Sequence, residues 1–210
     1  MVRIVIIDYG MGNLRNVQKA FEHVGVAADI SSRGQDLFEA DGLVLPGVGA
    51  FGDAMDNLRE TDLIDPIQKS VLSGRPLIGI CLGLQLLFQS SEEMGEHEGL
   101  GFLPGRVVRF GDALKVPHIG WNQLDFTDQG RHSQLLKGIA DHSYAYFVHS
   151  YHAVPADARC ALTNSGYGID FVSMVQKGNV FGAQFHPEKS QEVGLAILRN
   201  YAGIVKGYAT

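Results

Sequence analysis

The stretch that decides the fold is Pro76-Leu77-Ile78-Gly79-Ile80-Cys81-Leu82-Gly83-Leu84-Gln85. Leu77, Ile78 and Ile80 form the short apolar run of a buried strand in a parallel sheet. Residues 82–88 are rich in helix formers, so the strand should become a helix almost without a loop. Cys81 falls on the corner. Gly79 and Gly83 flank it at i−2 and i+2, where side chains would crowd so sharp a turn. This is the strand–turn–helix pattern of a nucleophile elbow, with sulfur where the G-x-S-x-G motif carries oxygen. A thiol at a helix N-terminus feels the positive end of the dipole, which favours the thiolate. The Leu82 N–H, without a partner in the first helical turn, can form half of an oxyanion hole. A cysteine in a tight turn reads equally as a small buried core residue. Its role therefore turns on whether the chain supplies a base.

On the N-terminal side, residues 2–7 read as a buried first strand and residues 14–23 as a helix with apolar residues at helical spacing. Gly10 and Gly12 suggest a dinucleotide fingerprint, but Arg15 occupies the third glycine position. A second strand spans 26–31 and a third 43–45. Pro46-Gly47-Val48-Gly49-Ala50-Phe51-Gly52 follows, either an ordinary connection or a loop whose N–H groups line a site, with Gly47 and Gly49 free to take φ > 0. Residues 53–72 read as helix, with a break near Asp65-Pro66, and Gly74 closes it. Strands alternating with helices imply an α/β fold: an open, mostly parallel sheet with covering helices.

After Ser91 the style changes. Residues 92–99 form an acidic, glycine-punctuated loop that reads as solvated. Short strands are expected over 106–110, 114–117, 144–152, 158–163, 171–177 and 180–185, closely spaced enough to pair antiparallel. A helix over 195–205 closes the chain. The 210 residues are expected to form a single domain, 1–210. With 45% apolar and 19% charged residues, a normal soluble core follows. A formal charge of −6 argues against nucleic-acid partners. Two cysteines are too few for a disulfide framework, and no apolar run reaches membrane-spanning length, so a cytoplasmic protein is expected.

The candidate base lies about a hundred residues from the cysteine. Val180-Phe181-Gly182-Ala183-Gln184-Phe185 runs into His186-Pro187-Glu188. Pro187 excludes helix and should keep the segment extended, where residues i and i+2 share a face. Glu188 can then hold the imidazole of His186 in one tautomer while the other ring nitrogen faces outward. Both segments would lie beyond the carboxyl ends of strands, where open α/β sheets place their sites. His149 and His152 stand three apart in an aromatic strand with no third soft ligand, so no metal is expected. His118 sits with Trp121 and Asn122 on an expected loop, and reads either as a strand-end core residue or as part of a ligand or partner surface.

Gly79-Ile80-Cys81-Leu82-Gly83-Leu84-Gln85 together with His186-Pro187-Glu188 resembles the triad class of glutamine amidotransferases, which release ammonia from glutamine. The resemblance extends from about residue 4 to 200. Three stretches resemble one branch, the glutaminase subunits of imidazole glycerol phosphate synthase in histidine biosynthesis. They are Ile7-Asp8-Tyr9-Gly10-Met11-Gly12-Asn13-Leu14, Lys115-Val116-Pro117-His118-Ile119-Gly120-Trp121-Asn122 and Tyr146-Phe147-Val148-His149-Ser150-Tyr151. The resemblance implies Cys81, His186 and Glu188 as catalytic triad, with a glutamyl thioester formed on Cys81. It implies oxyanion donors from Leu82 and from the Gly47-Val48-Gly49 loop, chiefly Val48 after a peptide flip. Gln85, Glu93, Ser150 and Tyr151 would surround glutamine, with Glu92 as the alternative to Glu93. His118, Trp121, Tyr146 and Lys189 would face a cyclase subunit, a (β/α)8 barrel, in a heterodimer. No cofactor or metal is implied. Ammonia would enter the barrel and yield imidazole glycerol phosphate and aminoimidazole carboxamide ribonucleotide.

Overall fold

The computed structural model describes residues 2–111 and 113–208. In its first half the elements run β1 (Ile4–Ile7), α1 (Leu14–His23), β2 (Ala28–Ser31), α2 (Gly34–Glu39), β3 (Gly42–Gly47), α3 (Phe51–Glu60), α4 (Ile64–Leu72), β4 (Leu77–Cys81) and α5 (Leu82–Leu86). The helix expected over 53–72 thus starts at Phe51 and breaks at 61–63. Asp62 takes φ 53° there, and the Leu63 N–H turns back to the Leu58 carbonyl. Pro66 lies inside the first turn of α4, where a missing N–H costs no helical bond.

The helix after Cys81 is shorter than its composition suggests. α5 stops at Leu86, and β5 (Phe88–Ser91) follows directly. The carbonyls of Leu86, Leu87 and Phe88 accept the N–H groups of Leu100, Leu103 and Gly101, so tertiary partners replace the next helical turn. Propensity loses here to long-range pairing.

The second half continues with β6 (His97–Glu98), β7 (Leu103–Arg109), β8 (His118–Phe126), α6 (Asp128–His132), β9 (Ser143–His149), β10 (Tyr151–Pro155), β11 (Ala161–Gly166), β12 (Asp170–Lys177), β13 (Val180–Ala183) and α7 (Gln191–Tyr208). Several expectations need correction. Residues 114–117 are not a strand, whereas the stretch read as a loop forms β8, nine residues paired with β9 from His118↔His149 to Leu124↔Ser143. The strand expected over 144–152 divides at Ser150. Residues 158–160 form a 3-10 turn capped by Asp157, so β11 begins only at Ala161. α7 is longer than the helix expected over 195–205.

Nine strands form one sheet in the order β2-β1-β3-β4-β13-β12-β11-β8-β9. The first five are mutually parallel, and the antiparallel strands of the second half extend the sheet from β13. This is the α/β architecture expected. A second, four-stranded sheet, β10-β7-β5-β6, was not foreseen. Alternation along the parallel strands divides the core in two. Ile4, Ile6, Val44, Ile78 and Ile80 pack with α1 and α7, while Val5, Ile7, Leu43, Leu45 and Leu77 pack with α2 to α5 and the second sheet. At Ser150 the chain passes from one sheet to the other, beside the carboxyl end of β4.

Candidate active site

β4 delivers Cys81 to its carboxyl end with φ 55° and ψ −110°, a conformation costly for any side chain but glycine. The neighbouring contacts hold it there. A Cβ on Gly83 would strike the carbonyl of Leu45 on β3, and one on Gly79 would strike the backbone of Gly83. α5 therefore lies directly on β3 and β4, and the chain can only leave the strand through the corner residue. Leu82 is the first residue of α5, so its N–H has no carbonyl four residues back within the helix.

A cleft of about 340 Å³ opens at this corner. Its lining brings together Cys81, Leu82, Val48, Gly49, Gln85, Glu93, Ser150, Tyr151, His186 and Lys189. Pro117, Val148 and His149 line it too, and no sequence reading had assigned them there. Gly47 lies behind the cleft, paired in register with Cys81. Its need for a bare Cα is one of space: a Cβ would sit 2.6 Å from the Tyr9 hydroxyl and 2.9 Å from Leu82 Cβ. Only Gly49 of this loop takes positive φ, at 100°. The Tyr9 hydroxyl donates to the Pro46 carbonyl at 2.9 Å. Burial, and then the nearby sulfur of Cys81, push the Tyr9 phenol well above its ordinary range, so it remains a donor.

His186 arrives from the adjacent strand β13. The segment after it is not extended: Pro187–Lys189 forms a 3-10 turn with Pro187 in its first position. That turn folds Glu188 back, so that its Oε1 lies 2.8 Å from His186 Nδ1, with both side chains almost fully buried. The expected pairing is present, by a different backbone route. The His186 segment is also tied to β9. His186 N–H donates to the Tyr146 carbonyl at 3.0 Å, and Tyr146 N–H donates to Ser190 Oγ at 2.9 Å. Burial alone would lower the His186 pKa. The neighbouring Cys81 sulfur and the Glu188 carboxylate overcome this and lift it to about 10.

The proposed substrate contacts differ in their protein partners. Gln85 is buried, and its Nε2 donates to the Tyr151 carbonyl at 3.0 Å and to Gln184 Oε1 at 3.1 Å. Glu93 Oε2 accepts the Phe51 N–H at the start of α3, 2.7 Å away, so part of the acidic loop is anchored instead of solvated. Burial raises the Glu93 pKa, and the Phe51 bond opposes it. Glu92 turns elsewhere, accepting from the Arg109 N–H.

Two faces of the β8–β9 pair are sharply unlike. Ile119, Trp121 and Tyr144 are exposed on the outer face, with Trp121 edge-on to half-buried Tyr146 at 5.9 Å between ring centroids. His118 does not share that surface. It is only 4% exposed, stacked between Phe147 and Tyr167, because residues of β8 alternate sides and His118 falls on the inner one. Lys189 is exposed at the mouth of the cleft. Gln184, like Pro117, Val148 and His149, is a residue that sequence reasoning missed. Gln184 is fully buried with its Nε2 4.0 Å from Cys81 Sγ, and only its place two residues before His186 hinted at it.

Comparison with known proteins places the chain in a family. Residues 5–202 match the family described as glutamine amidotransferase class-I. The chain is 53% identical to the imidazole glycerol phosphate synthase subunit HisH of Syntrophotalea carbinolica, covering 94% of this chain and 98% of that one. It is 52% identical to the subunit of the same name from Aquifex aeolicus, covering 95% and 96%. Among solved structures it resembles PurLQS from Thermotoga maritima (TM-score 0.74, 19% identity, 100% of this chain and 99% of that chain). It also resembles the glutaminase domain of Trypanosoma brucei CTPS (TM-score 0.68, 18% identity, 97% and 94%). At those identities the structures speak for the fold alone.

Proposed function

The chain belongs to the class-I glutamine amidotransferase family, and we propose that it is the glutaminase subunit of an imidazole glycerol phosphate synthase, supplying ammonia to a cyclase partner. The observation that carries this reading is the shared cleft in which Cys81, on its strained corner, meets His186, itself bonded to Glu188 at 2.8 Å.

The Cys81 thiolate attacks the side-chain amide carbon of glutamine, and the negative charge moves to the carbonyl oxygen. Leu82 N–H and Val48 N–H receive that charge, Val48 after its peptide turns toward the cleft. Imidazolium His186 gives its proton to the departing nitrogen, the C–N bond breaks, and ammonia leaves a glutamyl thioester on Cys81. Neutral His186 then takes a proton from water, whose oxygen attacks the thioester. Glutamate departs and the sulfur regains its starting form. Glu188 keeps the His186 proton on Nδ1 and stabilises the imidazolium each time it forms. Gln85, Glu93, Ser150 and Tyr151 hold glutamine by its polar ends.

Ammonia is valuable only where it is used, and the outer face of β8–β9 suits a partner that would receive it. Ile119, Trp121 and Tyr144 there present apolar and aromatic surface beside Lys189 and the cleft mouth. The partner is a (β/α)8-barrel cyclase, joined in a heterodimer. The test is glutamate release with the cyclase and its nucleotide substrate, expected to exceed release by the chain alone by about 10²-fold or more, the scale of one oxyanion donor. Cys81→Ser should abolish it while cyclisation from added ammonia persists. Equal turnover with and without the cyclase would sink the reading.

A further inference from the structure

Behind the cleft, side-chain amides and imidazoles form a chain whose donor directions follow from chemistry. The Tyr151 carbonyl only accepts. His149 Nδ1 lies 2.8 Å from it and therefore carries a hydrogen. Burial, with His118, His152 and His186 nearby, pushes the His149 pKa down to about 3, so the ring is neutral and its Nε2 bare. His118 Nδ1, 3.0 Å from that Nε2, must donate to it. Burial lowers the His118 pKa as well, which leaves His118 Nε2 to accept from Asn122 Nδ2 at 3.3 Å. The Asn122 amide cannot be reversed: Nδ2 also donates to the Gly166 carbonyl, and Oδ1 accepts the Gln123 N–H.

The same Tyr151 carbonyl receives Gln85 Nε2 from the other side. The second hydrogen of that nitrogen points to Gln184, which must meet it with Oε1. Nε2 of Gln184 is thereby turned to Cys81 Sγ. Across the sulfur lies the Val148 carbonyl, 3.8 Å away, an acceptor for S–H. The sulfur thus sits between one group that suits the thiol and one that suits the thiolate, with no water needed for either.

We propose that Gln184 is a further residue of the reaction, its Nε2–H holding the Cys81 sulfur for attack, with Gln85, anchored on the acceptor-only Tyr151 carbonyl, fixing the direction in which that amide faces. This rests on Cys81 being the nucleophile. The test is the rate at which iodoacetamide alkylates Cys81 in the full-length chain, followed by mass spectrometry across a pH series. Buried Cys160 reports whether the fold has opened. Gln184→Met keeps the length and removes the donor, and should slow alkylation of Cys81 about tenfold, the scale of one hydrogen bond to a charged group. With the cyclase and its nucleotide present, kcat should fall by a similar factor while KM for glutamine stays within about twofold. Should Cys160 become reactive in that variant, Gln184→Glu decides. It keeps the acceptor for Gln85 and turns an acceptor to the sulfur, so alkylation should slow again. Rates within about twofold of the parent throughout the series in the deciding variant would overturn the proposal. A parent chain that hydrolyses no glutamine with any cyclase would refute the functional reading and leave the alkylation result to judge Gln184 alone.

Discussion

The two walls of the cleft are held by different forces. On the cysteine side, position is enforced by contact: Gly79, Gly83 and Gly47 sit where any Cβ would collide, and Cys81 takes a backbone conformation that the packing imposes. On the histidine side hydrogen bonds do most of the holding: the His186 N–H donates to the Tyr146 carbonyl, Ser190 Oγ–H to the His186 carbonyl and the ring to Glu188, with one steric contact where bare Gly194 meets the Pro187 carbonyl. A steric wall fails all at once, because close-packed backbone has nowhere to yield. A polar wall can lose one bond and keep its shape. Cys81 therefore depends on the fold for its position, while the surroundings of His186 can be tuned without destroying it.

The largest effect should come from the steric wall. Gly83→Val would drive a side chain into the Leu45 carbonyl, and overpacking against backbone should cost at least about 3 kcal/mol. Calorimetry should show a midpoint lowered by about 6–12 °C, or no folded protein. A variant as stable as the parent would show that the elbow can move, and the contrast would collapse. Next in size is Glu188→Gln, on the polar wall. It keeps an oxygen for His186 and loses the charge, so cyclase-coupled glutamate release should fall about 10²–10⁴-fold with circular dichroism unchanged. Loss of folding instead would place Glu188 with the steric elements.

Two neighbouring histidines sharpen the polar side through pH. The His186 pKa is raised to about 10, so its contribution to stability is complete below the ordinary value of 6.5 and lost as pH rises through 10. The His149 pKa is lowered to about 3, so the unfolded chain gains protons that the folded chain refuses as pH falls from 6.5 toward 3. The thermal midpoint should peak between those two windows. Cys81→Ala should flatten the alkaline limb and His149→Phe the acid one. A midpoint that climbs steadily through alkaline pH would contradict the first assignment. The smallest effect is expected at Tyr9→Phe, which deletes one buried bond to Pro46 and should cost about 1 kcal/mol, or about 2–4 °C in midpoint. An unchanged midpoint would mean that bond adds nothing to the loop's anchorage.

What could be read from the chain divides along the same line. The elbow was legible because sterics are local: two glycines around a corner residue are a property of five consecutive positions. The pairing of His186 with Glu188 was also visible, although the 3-10 turn that creates it was not, since Pro187 permits both an extended chain and a first helical turn. Gln184 and His149 were out of reach. Their places exist only because α5, the segment after β13 and the β9–β10 junction bring Gln85, Gln184, His149 and Tyr151 together, and no sequence interval encodes that neighbourhood. β8 was misread for a related reason. Pro117 and Gly120 look like loop punctuation, and it takes the partner strands β9 and β11 to make the segment a strand.

β9 is also the last strand of its sheet, and an unpaired edge is a template on which another chain can add a strand. At Tyr146 that edge is occupied: the carbonyl accepts His186 N–H and the N–H is taken by Ser190. The segment that carries His186 thus also covers part of that edge. Damage that unravels the Pro187–Lys189 turn would uncover a sticky edge beside Trp121 and Tyr144, so an inactive subunit of this kind would tend to be a precipitating one.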